Sequence, residues 1–307
     1  MKPARLTALL NSSAGTAAGK KEKDLRAELK AGFRARNISA TIEFVPGPEL
    51  PAAAERAVNS AKAGDIDAIV VGGGDGTLRT VASAVVGQGI PLGIIPLGTL
   101  NHFAKDLDIP LEIDGAIETI SAGVHRDIDV GEVNGEIFIN NSSIGIYPYL
   151  VLDRDRRRAH QGLSKWPSMF LAALRTMRNL PLRRLRIRAE DWQDAVRSPC
   201  VFIGNNRYDL KGPSFGSRDR LDAGELCLCV AKQESRLGLL WLGAKCVAGT
   251  VGQDDLQILA LPALEVDARR KRLLVACDGE IQFMRTPLRY RTRPGALRVF
   301  APLPADR

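Results

Sequence analysis

Short apolar runs alternate with helix-length segments over residues 1–124, and this alternation limits the chain to few architectures. Each apolar run has the length of a buried strand, and each intervening segment is rich in helix-forming residues. Strands that alternate with helices form a parallel, doubly wound sheet, which binds its ligands at the carboxyl ends of the strands. We therefore expect a Rossmann-like α/β domain here. The predicted strands are Arg5–Leu10, Ala40–Val45, Asp67–Val71 and Leu92–Ile95, and the predicted helices are Lys20–Ala35, Ala52–Ala63 and Leu78–Val86.

The rest of the chain is rich in strand-like runs, and its helix-length segments are limited to Leu163–Asn179 and Arg236–Ala248. Asn134-Gly135 stands between two apolar runs, a pattern that predicts a two-residue hairpin turn. Many short strands with few helices indicate a β-sandwich or a barrel-like second domain. The predicted strands are Asp127–Val133, Glu136–Asn140, Arg184–Ala189, Val196–Ile203, Leu226–Ala231, Leu256–Leu261, Arg272–Cys277 and Pro287–Arg291.

Positive charge is concentrated in one stretch of the second half. The whole chain has 43 Lys and Arg against 35 Asp and Glu, a net charge of +8. Residues 154–188 hold eleven of the basic residues and one acidic residue, and Trp166, Met169, Phe170 and Leu174 recur there at helical spacing. An apolar helical face beside a basic one either lies on an anionic membrane surface or packs against a domain. Both interpretations stay open at this point.

Composition and short patterns exclude several classes of protein. No apolar run approaches the ~18 residues of a membrane span, and Leu6–Leu10 is too short for the core of a secretory signal. We expect a cytoplasmic protein. Five cysteines without a CxxC pair, and only three histidines, argue against a disulfide framework or a zinc site. No pattern of a nucleic-acid-binding module accompanies the basic residues, so no nucleic-acid partner is expected.

The segment with the most chemical content follows the third predicted strand. Ala68–Val71 leads into Gly72-Gly73-Gly74-Asp75-Gly76-Thr77, and the predicted helix follows from Leu78. Consecutive glycines permit a sharp turn that presents backbone N–H groups to a phosphate at a helix N-terminus. Asp75 suits such a loop if a divalent cation accompanies the phosphates. The alternative is a tight turn in which Asp75 caps the next helix.

The fourth predicted strand ends in a second polar turn, Pro96-Leu97-Gly98-Thr99-Leu100-Asn101-His102-Phe103-Ala104. In a parallel sheet this turn emerges at the same edge as the glycine loop, so Thr99 and Asn101 can face the same ligand. The glycine loop lacks the lysine of a P-loop. It also lacks the acidic residue about 20 positions onward that confirms a dinucleotide fingerprint, which disfavours dehydrogenase chemistry.

These two segments together resemble the diacylglycerol kinase catalytic family, which includes sphingosine kinases, ceramide kinases and bacterial lipid kinases and is similar in fold to NAD kinases. The resemblance continues at Asn11–Gly15, at Asp127–Gly131, at Phe138–Ser142 and at Asp278-Gly279-Glu280. It implies a doubly wound domain over residues 1–124, a β-sandwich lipid-substrate domain over 125–280, and final strands over 281–307 that can pack back on the first domain.

The resemblance also implies roles for individual residues. Asp278 would be the general base that accepts the proton of a lipid hydroxyl, and Glu280 would support the same cluster; seen alone, Asp-Gly is more often a hairpin turn. Asp75 would organise magnesium and phosphates, and Asp222 is the second candidate metal ligand. The expected ATP-binding residues are Asn11, Gly72, Gly73, Gly74, Asp75, Gly76, Thr77, Gly98, Thr99 and Asn101.

Two positions depart from the family pattern. Many members have an aspartate where this chain has His102, so an acidic role at that position is in doubt. Bacterial members with a structural magnesium carry Asp-Asp-Gly or Asn-Asp-Gly where this chain has Asp222-Ala223-Gly224. The metal site is therefore lost here or depends on Asp222 alone.

The leading hypothesis is a lipid kinase that uses ATP and Mg²⁺ to phosphorylate a diacylglycerol or a sphingoid-type acceptor in phospholipid metabolism. Its acceptor lies in a membrane, so peripheral association with an anionic membrane surface through residues 154–188 is expected. An NAD kinase shares the Gly-Gly-Asp-Gly-Thr loop and is the enzyme alternative, although the chain has no Asn-Thr-Glu-Pro run. A nucleotide- or lipid-sensing protein without transfer activity is the other alternative. The sequence leaves open which lipid is the acceptor and whether the protein forms a homodimer.

Overall fold

A computed structural model describes residues 2–13, 20–149, 183–189, 192–209, 216–233 and 254–303, with positions 235, 238, 241, 242, 244, 245 and 250–252 in addition. These residues form two compact units, one of residues 1–130 and 294–307 and one of residues 131–293. Among the described residues no helix is long and apolar enough to cross a membrane. The α-helices whose bounds lie within the described residues are α1 (Glu22–Ala35), α2 (Leu50–Lys62), α3 (Asp75–Val85), α4 (His102–Asp106) and α5 (Ile113–Ala122).

Sixteen strands are numbered in chain order within the described residues. The first eight are β1 (Arg5–Asn11), β2 (Ser39–Val45), β3 (Ala68–Gly73), β4 (Leu92–Pro96), β5 (His125–Val133), β6 (Glu136–Phe138), β7 (Asn141–Gly145) and β8 (Arg183–Ala189). The second eight are β9 (Trp192–Ser198), β10 (Cys200–Asn205), β11 (Leu226–Ala231), β12 (Leu256–Leu261), β13 (Ala263–Ala268), β14 (Arg272–Cys277), β15 (Glu280–Arg285) and β16 (Leu288–Phe300).

The first unit contains a parallel sheet in the order β2-β1-β3-β4. β3 is buried along its whole length, as an apolar strand covered on both faces should be. It pairs with β1 on one side and with β4 on the other, and Gly73 stands opposite Pro96 at the carboxyl end. This register places the glycine loop and the Pro96–Ala104 turn at one edge of the sheet, as predicted. The end of β16 joins beside β4 through Val299 and Leu92.

The second unit contains antiparallel pairs in two sheets. One has the order β12-β11-β10-β7-β14-β15, and in the other β13 pairs with β8 and with the first part of β16. Buried side chains of both sheets form one apolar core, which includes Ile203, Leu228 and Val275 from one sheet and Ile187 and Val266 from the other. The predicted fold class, a doubly wound α/β domain followed by a β-sandwich, is therefore confirmed.

Local features confirm some strand predictions and correct others. Asn134-Gly135 forms the predicted hairpin turn, with both residues at positive φ between β5 and β6. The single predicted strand Val196–Ile203 is wrong, because the chain breaks at Pro199 into β9 and β10, which belong to different sheets. Proline has no N–H for a ladder, so a break there is physically reasonable. Helix α5 was not predicted at all.

Two helix predictions fall largely outside the described residues. Leu163–Asn179 lies entirely outside them. Within Arg236–Ala248 the structure describes positions 238, 241, 242, 244 and 245, and all five are helical. Most of the basic stretch 154–188 also lies outside the described residues, and its last part is strand β8.

Candidate active site

Close packing between two loops explains the glycines at positions 74 and 98 of the first unit. A Cβ atom on Gly98 would collide with the Cα atom of Gly74, and a Cβ on Gly74 would lie 3.3 Å from the Cα of Gly98. A Cβ on Gly73 would lie 2.6 Å from the Thr77 side chain. None of glycines 72, 73, 74 and 76 has a left-handed φ. At Gly74 glycine therefore lets two backbones approach each other, and it is not needed there for a left-handed turn.

Asp75 connects the same two loops by hydrogen bonds. It is the first residue of α3, and its two carboxylate oxygens accept the backbone N–H groups of His102 and Phe103, each at 3.3 Å. These are the first N–H groups of helix α4, which would otherwise have no partner inside that helix. Asp75 therefore caps helix α4 of the facing loop, and not the next helix of the chain as the tight-turn alternative predicts.

Two asparagines fix the shape of this cluster. Asn101 is buried at φ 48°, accepts the N–H of Gly98 at 3.0 Å and donates to the carbonyl of Gly98 at 2.8 Å. Asn11 ends β1 and donates to the hydroxyl of Thr77 at 3.2 Å. Their side chains hold the loops in place, while Thr99 on the second loop is exposed. The structure thus brings the residues predicted to bind ATP into one cluster of the first unit, at the carboxyl edge of its sheet.

In the second unit, Asp278 lies in a tight turn and is also the centre of a hydrogen-bond cluster. Asp278 (φ 49°) and Gly279 (φ 86°) form the two-residue turn between β14 and β15. One carboxylate oxygen accepts the backbone N–H of Ile139 at 2.8 Å, and the other accepts those of Asn140 and Asn141 at 2.8 and 3.0 Å. The hairpin interpretation is therefore correct for the backbone, and the side chain has a separate function.

A buried arginine holds the opposite side of the loop that binds Asp278. Arg218 is 3% exposed, donates to the carbonyls of Ile139 and Asn205 at 2.8 and 3.1 Å, and donates to the side-chain oxygen of Asn140 at 2.7 Å. Tyr208 donates to the carbonyl of Asn140 at 3.0 Å and lies against the Arg218 guanidinium. The loop is thus held through its carbonyls by Arg218 and Tyr208, and through its N–H groups by Asp278.

Sequence reasoning missed Arg218 and Tyr208. Arg218 lies in a charged, glycine-containing segment that has the composition of an exposed loop, and no local pattern distinguishes it from Arg220. Its burial depends on partners 13 to 79 residues away in the chain. The neighbouring Asn140 and Asn141 were noticed only through the family resemblance.

The remaining predicted site residues differ in how the structure places them. Glu280 is exposed and begins β15, opposite Cys277. Asp222 accepts a hydrogen bond from Arg220 at 3.0 Å, and the N–H of Ala223 is donated to Asn206. The described residues contain no group of three His, Cys, Asp or Glu side chains that could hold a metal ion. These contacts do not fit a dedicated magnesium site at Asp222, and its role as a ligand stays a prediction.

Magnesium bound together with a nucleotide makes smaller demands on the protein. Mg²⁺ in nucleotide sites is held by one or two carboxylates together with the phosphates and water, so it needs no cluster of protein ligands. Asp75 lies beside the glycine loop and the amino end of α3, where phosphates would bind. The residues of the first unit therefore fit a nucleotide-borne magnesium ion.

Comparison with known proteins agrees with both halves of this description. Residues 5–133 match the family described as the diacylglycerol kinase catalytic domain, and residues 154–301 match the YegS C-terminal NAD kinase beta sandwich-like domain. A Pseudomonas aeruginosa protein named "Probable lipid kinase YegS-like" is 34% identical over 255 residues, which are 81% of each chain. A protein of the same name from Pseudomonas syringae pv. syringae is 31% identical and covers 82% of this chain and 81% of its own.

Solved structures agree in fold. The crystal structure of a diacylglycerol kinase from Bacillus anthracis str. Sterne superposes with a TM-score of 0.70, covers 98% of each chain and is 18% identical in sequence. Two family matches in tandem, relatives above 30% identity over most of the chain, and a shared fold lead to one conclusion. The chain belongs to the diacylglycerol kinase catalytic-domain family, in its group of YegS-like lipid kinases.

Proposed function

We propose that this enzyme transfers the γ-phosphoryl group of ATP, in the presence of Mg²⁺, to the hydroxyl group of a diacylglycerol or sphingoid-type lipid. The observation that carries the proposal is the pair of loops at the sheet edge, which glycine packing and the hydrogen bonds of Asp75 fix against each other. Phosphoryl transfer needs positioning and charge compensation more than covalent chemistry by the protein. A rigid loop pair at a helix N-terminus supplies both.

The first unit supplies the nucleotide site in this proposal. The phosphates are held at the amino end of α3 by backbone N–H groups of the glycine loop, with Thr99 exposed on the second loop to bind the same nucleotide. Bound magnesium would neutralise charge on the phosphates, and Asp75 is the residue that would hold it. His102 contributes its backbone N–H to Asp75, which is a structural role.

The second unit supplies the base. As the lipid hydroxyl attacks the γ-phosphorus, the new O–P bond forms, the bond to the β-phosphate oxygen breaks, ADP leaves, and the hydroxyl proton passes to a carboxylate. Asp278 and Glu280 are the candidate carboxylates. Both oxygens of Asp278 accept backbone N–H groups, so the carboxylate is held in one orientation. Glu280 is exposed and two residues away.

The test measures transfer of labelled γ-phosphate from ATP and Mg²⁺ to diacylglycerols, sphingoid bases, other hydroxylated lipids and NAD. The expected result is a labelled lipid, whose formation is reduced in Asp75→Asn and is absent in Asp278→Asn. Label on NAD alone would replace the proposal by NAD kinase activity. ATP binding without any labelled product would support the sensing alternative.

Two calorimetric measurements complete the design. ATP affinity is measured with and without Mg²⁺ for the wild type and for Asp75→Asn, because loss of the magnesium dependence identifies Asp75 as the residue that holds the ion. ATP affinity of Glu280→Gln should equal that of the wild type, because its substitution is expected to affect the acceptor step only. A Glu280→Gln variant that fails to bind ATP would contradict this division of roles.

We also propose that the enzyme works as a cytoplasmic protein that binds membranes peripherally, because a lipid acceptor lies in a bilayer. The basic stretch 154–188 supports the proposal by its charge. Cosedimentation with anionic vesicles should weaken as salt is raised. Equal binding to neutral vesicles would contradict an electrostatic association.

A further inference from the structure

The second unit has a groove of about 840 Å³ that no part of the proposed reaction uses. It is formed by β8, β13, the first part of β16, the end of β5 and the turn that follows β15. Arg285, which lines it, is the last residue of β15, whereas the Asp278 turn precedes the first residue of that strand. The groove is therefore at the other end of the β14–β15 hairpin from the candidate base.

Positive charge exceeds negative charge in the lining. Four arginines and two glutamates line the groove, a formal surplus of two positive charges. Glu265 is shared by Arg188 at 3.6 Å and Arg289 at 3.3 Å. Each carboxylate can neutralise only one guanidinium, so these ion pairs leave the cluster positively charged.

The second glutamate repeats the arrangement. Glu132 accepts two parallel hydrogen bonds from Arg291, at 3.0 and 2.9 Å, and lies 3.7 Å from Arg293. Its side chain is only 12% exposed, whereas that of Arg291 is 62% exposed. Arg289 is 77% exposed above Glu265, which is 30% exposed. The carboxylates therefore lie beneath the guanidinium groups, and the side of the cluster that meets solvent is cationic.

Strand register creates the recess between these arginines. Arg188, Glu265 and Arg289 stand opposite one another in a row across three strands. In the next row Ala263 stands opposite Arg291. Alanine is the smallest of the outward residues, so the surface dips at that point between longer side chains. An anion that enters the dip meets guanidinium groups of Arg289 and Arg291.

Planar guanidinium groups with a surplus of charge suit the oxygens of a phosphate group, because each can donate two parallel hydrogen bonds. The groove is open, its arginines are exposed, and the whole chain carries a net charge of +8. We propose that this groove binds the phosphate of anionic phospholipids in a bilayer. The inference deepens the proposed membrane association and places a contact on a described surface; it is independent of the phosphoryl-transfer chemistry.

The test is cosedimentation without nucleotide, using phosphatidylcholine vesicles with and without phosphatidylglycerol. The double variant Arg289→Gln/Arg291→Gln should bind the anionic vesicles about 30-fold more weakly than the wild type, since each cationic side chain near such a surface adds a few-fold in affinity. The matched control is Arg34→Gln/Arg56→Gln, which removes two exposed arginines from α1 and α2. The control should lose much less binding.

Three outcomes would overturn the inference. The first is an equal loss in the control, which would show that net charge alone governs binding. The second is wild-type binding to pure phosphatidylcholine vesicles as strong as to the anionic ones. The third is binding of the double variant Arg289→Gln/Arg291→Gln to the anionic vesicles as strong as that of the wild type. If the glutamine variant has a lower thermal midpoint than the wild type, its weaker binding could come from partial unfolding. The variant Arg289→Lys/Arg291→Lys, which keeps the charge, is then compared with the wild type instead.

Because the measurement contains no ATP and no lipid acceptor, it gives a result even if the enzyme phosphorylates another class of molecule. Conversely, an active lipid kinase whose groove variant binds vesicles like the wild type would disprove the groove and leave the proposed reaction intact. The lysine variant should bind between the wild type and the glutamine variant, since an ammonium group keeps the charge but cannot donate two parallel hydrogen bonds to one phosphate.

Discussion

The two candidate site regions are held together by different means. In the first unit, loops meet through glycine backbones and through short polar contacts such as Asp75 with the N–H of His102. In the second unit, the loop around Asn140 is held by a buried cation, Arg218, and by a carboxylate, Asp278. The first arrangement depends on the absence of side chains, and the second depends on particular side chains. The two should therefore fail in different ways when they are mutated.

The largest effect is expected from Arg218→Met. The change leaves the carbonyl of Asn205 and the side-chain oxygen of Asn140 without their buried donor, which should cost about 3 kcal/mol of unfolding free energy. Arg218→Lys should recover part of the loss, because lysine restores the charge without the fork of N–H donors. Thermal and denaturant unfolding measure this. A methionine variant as stable as the wild type would show that the guanidinium is dispensable.

The next largest effect is expected from Gly98→Ala, which should lower activity rather than stability. The added methyl group collides with the backbone of Gly74, so the two loops must separate. Displacement by about 1 Å in a site that works by positioning lowers kcat/KM about 100-fold. Gly47→Ala is the control, because its Cβ would meet only one atom, at 4.0 Å. Steady-state kinetics on a lipid that the wild type is found to phosphorylate would check this. Similar kcat/KM for both variants would contradict the packing argument.

This comparison also explains how much could be predicted from sequence. Gly72–Thr77 and Pro96–Ala104 follow buried strands directly, and two parallel neighbours necessarily end at the same edge, so their meeting follows from local pattern and topology. Asp278 was found only through family resemblance, and its partners lie about 137 to 139 residues away. Arg218 gave no signal, because burial of one arginine among many depends on the folded sandwich.

The split at Pro199 shows the same limit in the fold. A continuous apolar run from Val196 to Ile203 predicts one strand, and the proline within it is a local warning of a break. Which sheet each part joins is decided by long-range pairing, of β9 with β8 and of β10 with β7 and β11. Sequence pattern therefore predicted the class of the second unit and most of its strands, but it did not predict their order.

Asp278→Asn should destabilise the second unit by about 1 to 3 kcal/mol, apart from any effect on chemistry. An amide offers one oxygen, so its NH₂ group would face either the N–H of Ile139 or those of Asn140 and Asn141, and a buried donor without a partner has this cost. The unfolding free energy and the kcat of Asp278→Asn, measured separately, distinguish the effect on stability from the effect on chemistry. A variant with unchanged stability and no turnover would assign Asp278 to chemistry alone.

The smallest effect is expected at Asp67, an aspartate of the first unit that accepts two backbone N–H groups in a different way. Both the N–H of Ala4 and that of Arg5 are donated to a single carboxylate oxygen, at 2.9 and 2.8 Å. An asparagine can replace that oxygen, so Asp67→Asn should keep both hydrogen bonds, and at neutral pH its unfolding free energy should fall by well under 1 kcal/mol because the side chain is 38% exposed. We therefore expect the second unit to be destabilised by Asp278→Asn and the first unit to tolerate Asp67→Asn.

The difference in unfolding free energy between the wild type and Asp67→Asn should depend on pH only in acid. Hydrogen bonds from Arg5 and Ala4 lower the pKa of Asp67 below its ordinary value of 3.8. A carboxyl whose pKa is lower in the folded state stabilises the protein above its unfolded-state pKa, and this contribution disappears as the pH falls through the folded-state pKa. From neutral pH down to about pH 4 the wild type and Asp67→Asn should differ by a constant amount, and below that the wild type should lose stability faster. Parallel curves of unfolding free energy down to pH 2 would show that the hydrogen bonds to Asp67 do not depend on its charge.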